Sequence, residues 1–154
     1  MEEDLAKIKA VIAGSSHVFR EEAFCQKNDL DGSTFGLSEP VSTCWIGKGG
    51  LKVQTCIDVP GAYDDFLNRV RGEEADIAIF IDGGNDLDKD TSFYLSDKDH
   101  AIEVASAMIV LAKHSAPSAK VIYIMSIIPR QKTICISVER FSTKVNDCNS
   151  AGNI

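Results

Sequence analysis

Two short polar segments contain the residues best suited to chemistry. They are Gly14-Ser15-Ser16-His17 and Gly83-Gly84-Asn85-Asp86, and each comes directly after an apolar run. A serine at the start of a helix suits a nucleophile, because its own N–H and the positive end of the helix dipole favour negative charge nearby. An asparagine amide at the same place supplies an N–H donor for a tetrahedral oxyanion. Together the two segments indicate acyl transfer at a serine.

Each segment also has a plain structural alternative. Ser15 or Ser16 could simply cap the N-terminus of a helix. The second segment could be a turn, since Gly, Asn and Asp are common turn residues. A backbone N–H at Gly49 or Gly50 would be a third oxyanion donor, or these glycines form an ordinary turn. The residues alone leave these alternatives open.

The elements around these segments alternate between strand and helix. Buried strands are predicted at residues 8–13, 41–46, 77–81 and 121–128, and helices at residues 16–27, 60–72, 96–114 and 133–149. This alternation favours an α/β fold, a three-layer α/β/α sandwich around a parallel sheet. In such sheets ligands bind beyond the carboxyl ends of the strands. Both polar segments follow a strand directly, so we expect them at that edge.

Length, charge and cysteine content bound the classes of function. With 154 residues the chain suits a single domain, residues 1–154, and its net charge of −7 disfavours binding to nucleic acid. No apolar run approaches the ~20 residues of a membrane span, and the acidic start differs from a signal peptide, so we expect a cytoplasmic protein. The five cysteines, an odd number without Cys-x-x-Cys spacing, indicate reduced thiols and no metal site.

Four stretches resemble blocks of the SGNH (GDSL-like) hydrolase superfamily. Gly14-Ser15-Ser16 lies where that family has Gly-Asp-Ser, and residues 83–86 match its Gly-x-Asn-Asp block after the third strand. Gly50 is similar to the glycine of the second block. Residues 121–130 end in Pro-Arg, like the strand that follows in the family. The resemblance covers roughly residues 8–150.

The resemblance implies a flavodoxin-like sheet and a serine esterase or lipase-like activity on a small-molecule ester. Ser16 would be the nucleophile. The oxyanion hole would consist of the backbone N–H of Ser16, the backbone N–H of Gly50 and the side chain of Asn85. The reaction would proceed through an acyl-enzyme, with no metal or organic cofactor. The identity of the ester and the oligomeric state are not predicted.

Two departures from the family affect the expected activity. Ser15 replaces the aspartate that usually precedes the nucleophile. The C-terminal Asp-x-x-His block, which carries the base, is not found, so we expect a C-terminally incomplete domain that lacks its last strand. Without a base the hydroxyl of Ser16 is a weak nucleophile, and the chain is expected to be a weak or inactive esterase. The alternatives are a catalytically silent binding or interaction module with the same fold, and a flavodoxin-like domain that binds phosphate or flavin.

The three histidines do not supply the missing base in this interpretation. Asp97-Lys98-Asp99-His100 spells Asp-x-x-His, but it begins a predicted helix, where acidic residues complement the dipole. His17 is adjacent to Ser16 in sequence, so we expect its side chain to point in another direction. His114 lies near a helix C-terminus and is predicted to be structural.

An acidic run follows the asparagine. Asp86, Asp88 and Asp90 alternate as in a calcium-binding loop. However, the sixth position is Thr91 rather than glycine and the twelfth is Asp97 rather than glutamate. We therefore interpret the run as a solvated acidic loop.

Overall fold

The structure is a computed structural model that describes residues 7–28 and 41–152. Strands and helices alternate along the chain, as in α/β domains. In chain order the elements are β1 (Ile8–Gly14), α1 (Ser16–Lys27), β2 (Val41–Gly47), α2 (Val53–Asp58), α3 (Asp64–Gly72), β3 (Ile77–Ile81), α4 (Gly84–Leu87), α5 (Asp97–Ser115), β4 (Val121–Ile124) and α6 (Val138–Gly152).

The described strands form one parallel sheet in the order β2-β1-β3-β4. β1 pairs with β2 as far as Gly14 opposite Gly47, and with β3 as far as Gly14 opposite Ile81. The chain therefore leaves β1 towards β2 on one side and reaches β3 on the other. This reversal opens a crevice at the carboxyl ends of β1 and β3. The prediction of an α/β fold with a parallel sheet is confirmed, and the strand order is compatible with a flavodoxin-like sandwich.

One face of the sheet holds the main hydrophobic core. Buried residues of α3, α5 and α6 pack there against five strand residues, Val11, Ala13, Ile46, Ala78 and Phe80. Consecutive strand residues face opposite sides, so Gly47 faces away from the core. A Cβ at Gly47 would lie 2.2 Å from the backbone of Phe19, which places α1 on the opposite face. Helices thus lie on both faces, as predicted.

β4 is shorter than the apolar run that predicted it. The run extends to residue 128, but the strand ends at Ile124. Beyond that point the side chain of Asn149 on α6 binds the backbone of Ile127, accepting from its N–H at 2.8 Å and donating to its carbonyl at 3.1 Å. A side-chain amide replaces the strand partner there, so the prediction for residues 125–128 was wrong.

Helix positions differ from the prediction at several points. α3 begins at Asp64 rather than Pro60, and α6 begins at Val138 rather than Thr133. The short helices α2 and α4 were not predicted, because six and four residues are too few to show a helical period. Two large apolar side chains of the helices, Phe19 of α1 and Ile102 of α5, are exposed.

Within residues 7–28 and 41–152, no helix has the length and the apolar character needed to cross a bilayer.

Candidate functional site

The loops after β1, β2 and β3 meet at the carboxyl edge of the sheet. The N–H of Lys48, just past β2, donates to the carbonyl of Gly14 at 3.0 Å. The N–H of Ser15 donates to the carbonyl of Ile81, the last residue of β3, at 3.1 Å. Two backbone hydrogen bonds therefore tie the serine loop to the loops on either side.

A third hydrogen bond links the loops after β2 and β3. Asn85 Nδ2 donates to the carbonyl of Leu51, next to Gly50, at 3.1 Å. Ser16, Gly50 and Asn85 consequently all lie at this one edge, as the sequence predicts, and Asn85 is half-buried rather than directed into the core.

Ser16 is the first residue of α1 and is half-buried. Ser15 occupies the cap position before it and is buried, yet within the described part of the chain its side chain makes no capping hydrogen bond. Ser15 is therefore the N-cap residue of α1 by position, without the side-chain hydrogen bond that a serine cap usually supplies.

Gly50 lies in the exposed turn after β2 with a φ of +72°. Side chains with a Cβ rarely adopt this left-handed conformation. A Cβ there would meet nothing within 4 Å, so the backbone conformation, not the available space, requires glycine.

Both ends of the Asn85 amide are engaged. Its Oδ1 accepts a hydrogen bond from Arg130 Nη2 at 2.7 Å, while Nδ2 donates to the Leu51 carbonyl. Arginine can only donate, so the oxygen of the amide faces Arg130 and the nitrogen faces the turn after β2. An amide nitrogen carries two hydrogens, and only one of them has a partner among the described residues.

Asp86 anchors the start of α2. Its two carboxylate oxygens accept from the N–H groups of Val53 and Gln54, both at 2.9 Å. Burial raises the pKa of Asp86, and these two donors act in the opposite direction. Asp86 thus holds the segment after Gly50 against the loop that carries Asn85.

Asp88 anchors the segment before α6. Its carboxylate accepts from three successive backbone N–H groups, those of Ile134, Cys135 and Ile136, at 2.8 to 3.3 Å. Burial acts to raise the pKa of Asp88, but the three donors and Arg130 outweigh it and leave that pKa lowered. Asp86 and Asp88 are buried caps, so the prediction of a solvated acidic loop was wrong for both.

Asp82 is a site residue that the sequence interpretation missed. It follows β3 directly, and both of its carboxylate oxygens are buried with no hydrogen-bond partner in the described structure. It lines a cavity of about 20 Å³ together with Ser15, Ser126 and Arg130. Burial, with a contribution from Asp86, raises the pKa of Asp82 to about 7. The signal available in the sequence was an acidic residue directly after the apolar strand β3.

The Asp-x-x-His sequence at residues 97–100 does not form a catalytic pair. Asp97 binds Arg140, whereas His100 is buried and its Nε2 lies 3.3 Å from Gln54 Oε1. Burial, assisted by the charges of nearby lysines, lowers the pKa of His100 to about 4. This histidine is neutral at pH 7, and no carboxylate among the described residues hydrogen-bonds to its ring.

A larger cleft adjoins Asn85. Its volume is about 340 Å³, enough for a small molecule, and charged residues of both signs line it, including Lys52, Lys89, Asp58 and Glu103. Over residues 7–28 and 41–152, no three side chains of the His, Cys, Asp or Glu type gather to hold a metal ion.

Comparison of the chain with models of known protein families gave no match, and neither did comparison with curated protein sequences.

Proposed function

We propose that the chain is an SGNH-type serine ester hydrolase domain with Ser16 as the nucleophile. The backbone N–H of Ser16, the backbone N–H of Gly50 and the side chain of Asn85 would form the oxyanion hole. The fixed amide of Asn85 carries this proposal, because its nitrogen faces the turn that contains Gly50 and retains one N–H.

In the proposed reaction Ser16 Oγ attacks the ester carbonyl, whose electron pair moves to the oxygen. The three donors stabilise this oxyanion. Collapse of the tetrahedral intermediate expels the alcohol and leaves the acyl group on Ser16. Water passes the serine proton to the departing alkoxide, and a second water molecule then releases the acid. The cleft beside Asn85 would hold one side of the ester.

The proposed turnover is slow because Asp97 and His100 do not form a catalytic dyad that could activate Ser16. Asp97 is held by Arg140, and His100 is held by Gln54. Serine hydrolases that lose triad residues keep a residual rate from the oxyanion hole and substrate binding. The same arrangement of Asp97 and His100 favours the second candidate, a catalytically silent binding module with this fold.

Labelling with a fluorophosphonate probe, followed by mapping of the modified residue, tests the proposal. We expect slow modification of Ser16 and none in Ser16→Ala. Ser15→Ala is the matched control and should be labelled like the wild type, because it removes the neighbouring hydroxyl only. Asn85→Asp keeps an oxygen towards Arg130 but lacks the N–H, and we expect labelling to slow by about 10²–10³-fold. A wild type that is never labelled at Ser16 supports the binding module instead.

A further inference from the structure

We propose that Arg130 is a positioning residue that fixes the orientation of the Asn85 amide and so keeps an N–H available for the oxyanion. Asn85 can present either its oxygen or its nitrogen to the oxyanion position, and only the nitrogen stabilises negative charge. The catalytic part of this inference rests on the proposed function.

The contact between Arg130 and Asn85 allows only one amide orientation. Arg130 Nη2 donates to Asn85 Oδ1 at 2.7 Å, the length of a charge-assisted hydrogen bond. A flipped amide would place its own N–H groups against the guanidinium, donor facing donor. It would also turn the oxygen towards the carbonyl of Leu51. Both contacts therefore favour the same orientation.

Arg130 is itself held on three sides. Its guanidinium lies over the ring of Phe141, 5.4 Å from the centroid, and its Nη1 is 4.0 Å from Asp88 Oδ2. On the third side it approaches Gly84, where a Cβ would come within 3.0 Å of Nη2. Asp88 is anchored in turn by its three backbone donors. The guanidinium thus meets Asn85 as a rigid partner.

Amide NMR tests the positioning role without any need for catalysis. We expect two distinct side-chain amide signals of Asn85 in the wild type, identified by their loss in Asn85→Asp, with the hydrogen bonded to the Leu51 carbonyl protected from solvent exchange. Arg130→Gln, which removes the charge and the donor fork, should shift these signals and speed their exchange at least about tenfold. Arg69→Gln is the matched control, because Arg69 pairs with Glu22 and makes no hydrogen bond with Asn85. An unchanged Asn85 amide in folded Arg130→Gln overturns the inference.

The labelling rate of Ser16 tests the catalytic consequence. We expect Arg130→Gln to slow labelling about tenfold or more, and Arg130→Lys also to slow it, because an ammonium lacks the planar fork. In an Asn85→Ala background Arg130→Gln should have no further effect, since its partner is gone. Added guanidinium ion should partly restore Arg130→Ala but not Asn85→Ala. If Arg130→Gln slows labelling as strongly in the Asn85→Ala background as in the wild type, the inference is contradicted. A wild type that is not labelled overturns the proposed function, and the amide signals then decide whether Arg130 orients Asn85.

Discussion

Arg140 on α6 binds Asp97 on α5 through two hydrogen bonds, Nη2 to Oδ1 at 2.8 Å and Nε to Oδ2 at 3.0 Å. Such a two-point contact occupies both oxygens of the carboxylate. His100, three residues further along the same helix, bonds to Gln54 instead. The Asp-x-x-His sequence thus joins α5 to α6 through Asp97 and to α2 through His100, and its aspartate does not orient its histidine.

We predict that His100→Gln leaves the slow hydrolysis of a short-chain nitrophenyl ester within about twofold of the wild type. His100 is buried, and no carboxylate in residues 7–28 and 41–152 hydrogen-bonds to it, so we expect it not to assist Ser16. General acid–base catalysis contributes about 10²–10⁴-fold where it operates, which makes its absence easy to detect. Ser16→Ala should abolish the rate above background. Strong wild-type turnover that disappears in folded His100→Gln would show that Asp97 and His100 had been dismissed wrongly.

The sequence allowed the prediction of those features that depend on neighbouring residues. β1 and β3 are apolar at consecutive positions, as strands covered on both faces are, and the polar segments after them lie at the sheet edge. The presence of Ser16, Gly50 and Asn85 at that edge follows from strand order and from the parallel pairing of the strands.

The features that were missed depend on partners far apart along the chain. Asp86 caps residues more than 30 positions before it, and Asp88 caps residues more than 40 positions after it. Asn149 binds the backbone of Ile127, just after β4, from 22 positions away. A local sequence pattern does not reveal partners so far apart. In the sequence, an acidic run whose side chains are buried caps therefore cannot be distinguished from an acidic run on the surface.

We predict that Asp86→Ala loosens the first turn of α2. The change removes the acceptors of the Val53 and Gln54 N–H groups, which lie three and four residues beyond Gly50. Hydrogen exchange at these two amides should accelerate by at least tenfold, with a loss of about 1–3 kcal/mol in the free energy of unfolding. Asp65→Ala, on the exposed side of α3, is the control and should leave both amides unchanged. Equal exchange in the two variants would contradict the capping role.

We predict that Asp88→Ala destabilises the protein at pH 7 and much less in acid. The pKa of Asp88 is lowered on folding, so its stabilising contribution is present above the unfolded pKa of about 3.9. That contribution is lost as the pH falls through the lower, folded pKa. Three hydrogen bonds to a charged acceptor suggest a loss of about 2–4 kcal/mol at pH 7.

Urea unfolding of Asp88→Ala and the wild type at pH 7 and at pH 2.5 measures this difference. Asp99→Ala, which changes an exposed aspartate in the first turn of α5, is the control for general charge effects. Asp88→Ala and the wild type could differ in free energy of unfolding as much at pH 2.5 as at pH 7. That result would mean that the negative charge of Asp88 does not hold residues 134–136.

We predict that Asp82→Leu stabilises the protein at pH 8 and loses this advantage in acid. The pKa of Asp82 is raised on folding to about 7, against about 3.9 for an unfolded aspartate. Between these two values the folded state binds more protons than the unfolded state, so this group makes stability fall as the pH rises. Above pH 7 the full penalty applies, at most about 4 kcal/mol by this linkage.

Leucine has the same branched shape as aspartate, with two methyl groups in place of the carboxylate oxygens, and carries no charge. It therefore removes the penalty of a buried, unpartnered carboxyl. We expect the free energy of unfolding of Asp82→Leu to exceed that of the wild type by about 1–3 kcal/mol at pH 8. At pH 4 the wild-type carboxyl is protonated when folded, and the two proteins should differ by less than about 1 kcal/mol. Asp82→Asn, which stays neutral but keeps polar atoms without partners, should show the same pH dependence with a smaller gain. If the difference in free energy of unfolding between the wild type and Asp82→Leu is the same at pH 4 and at pH 8, burial does not raise the pKa of Asp82.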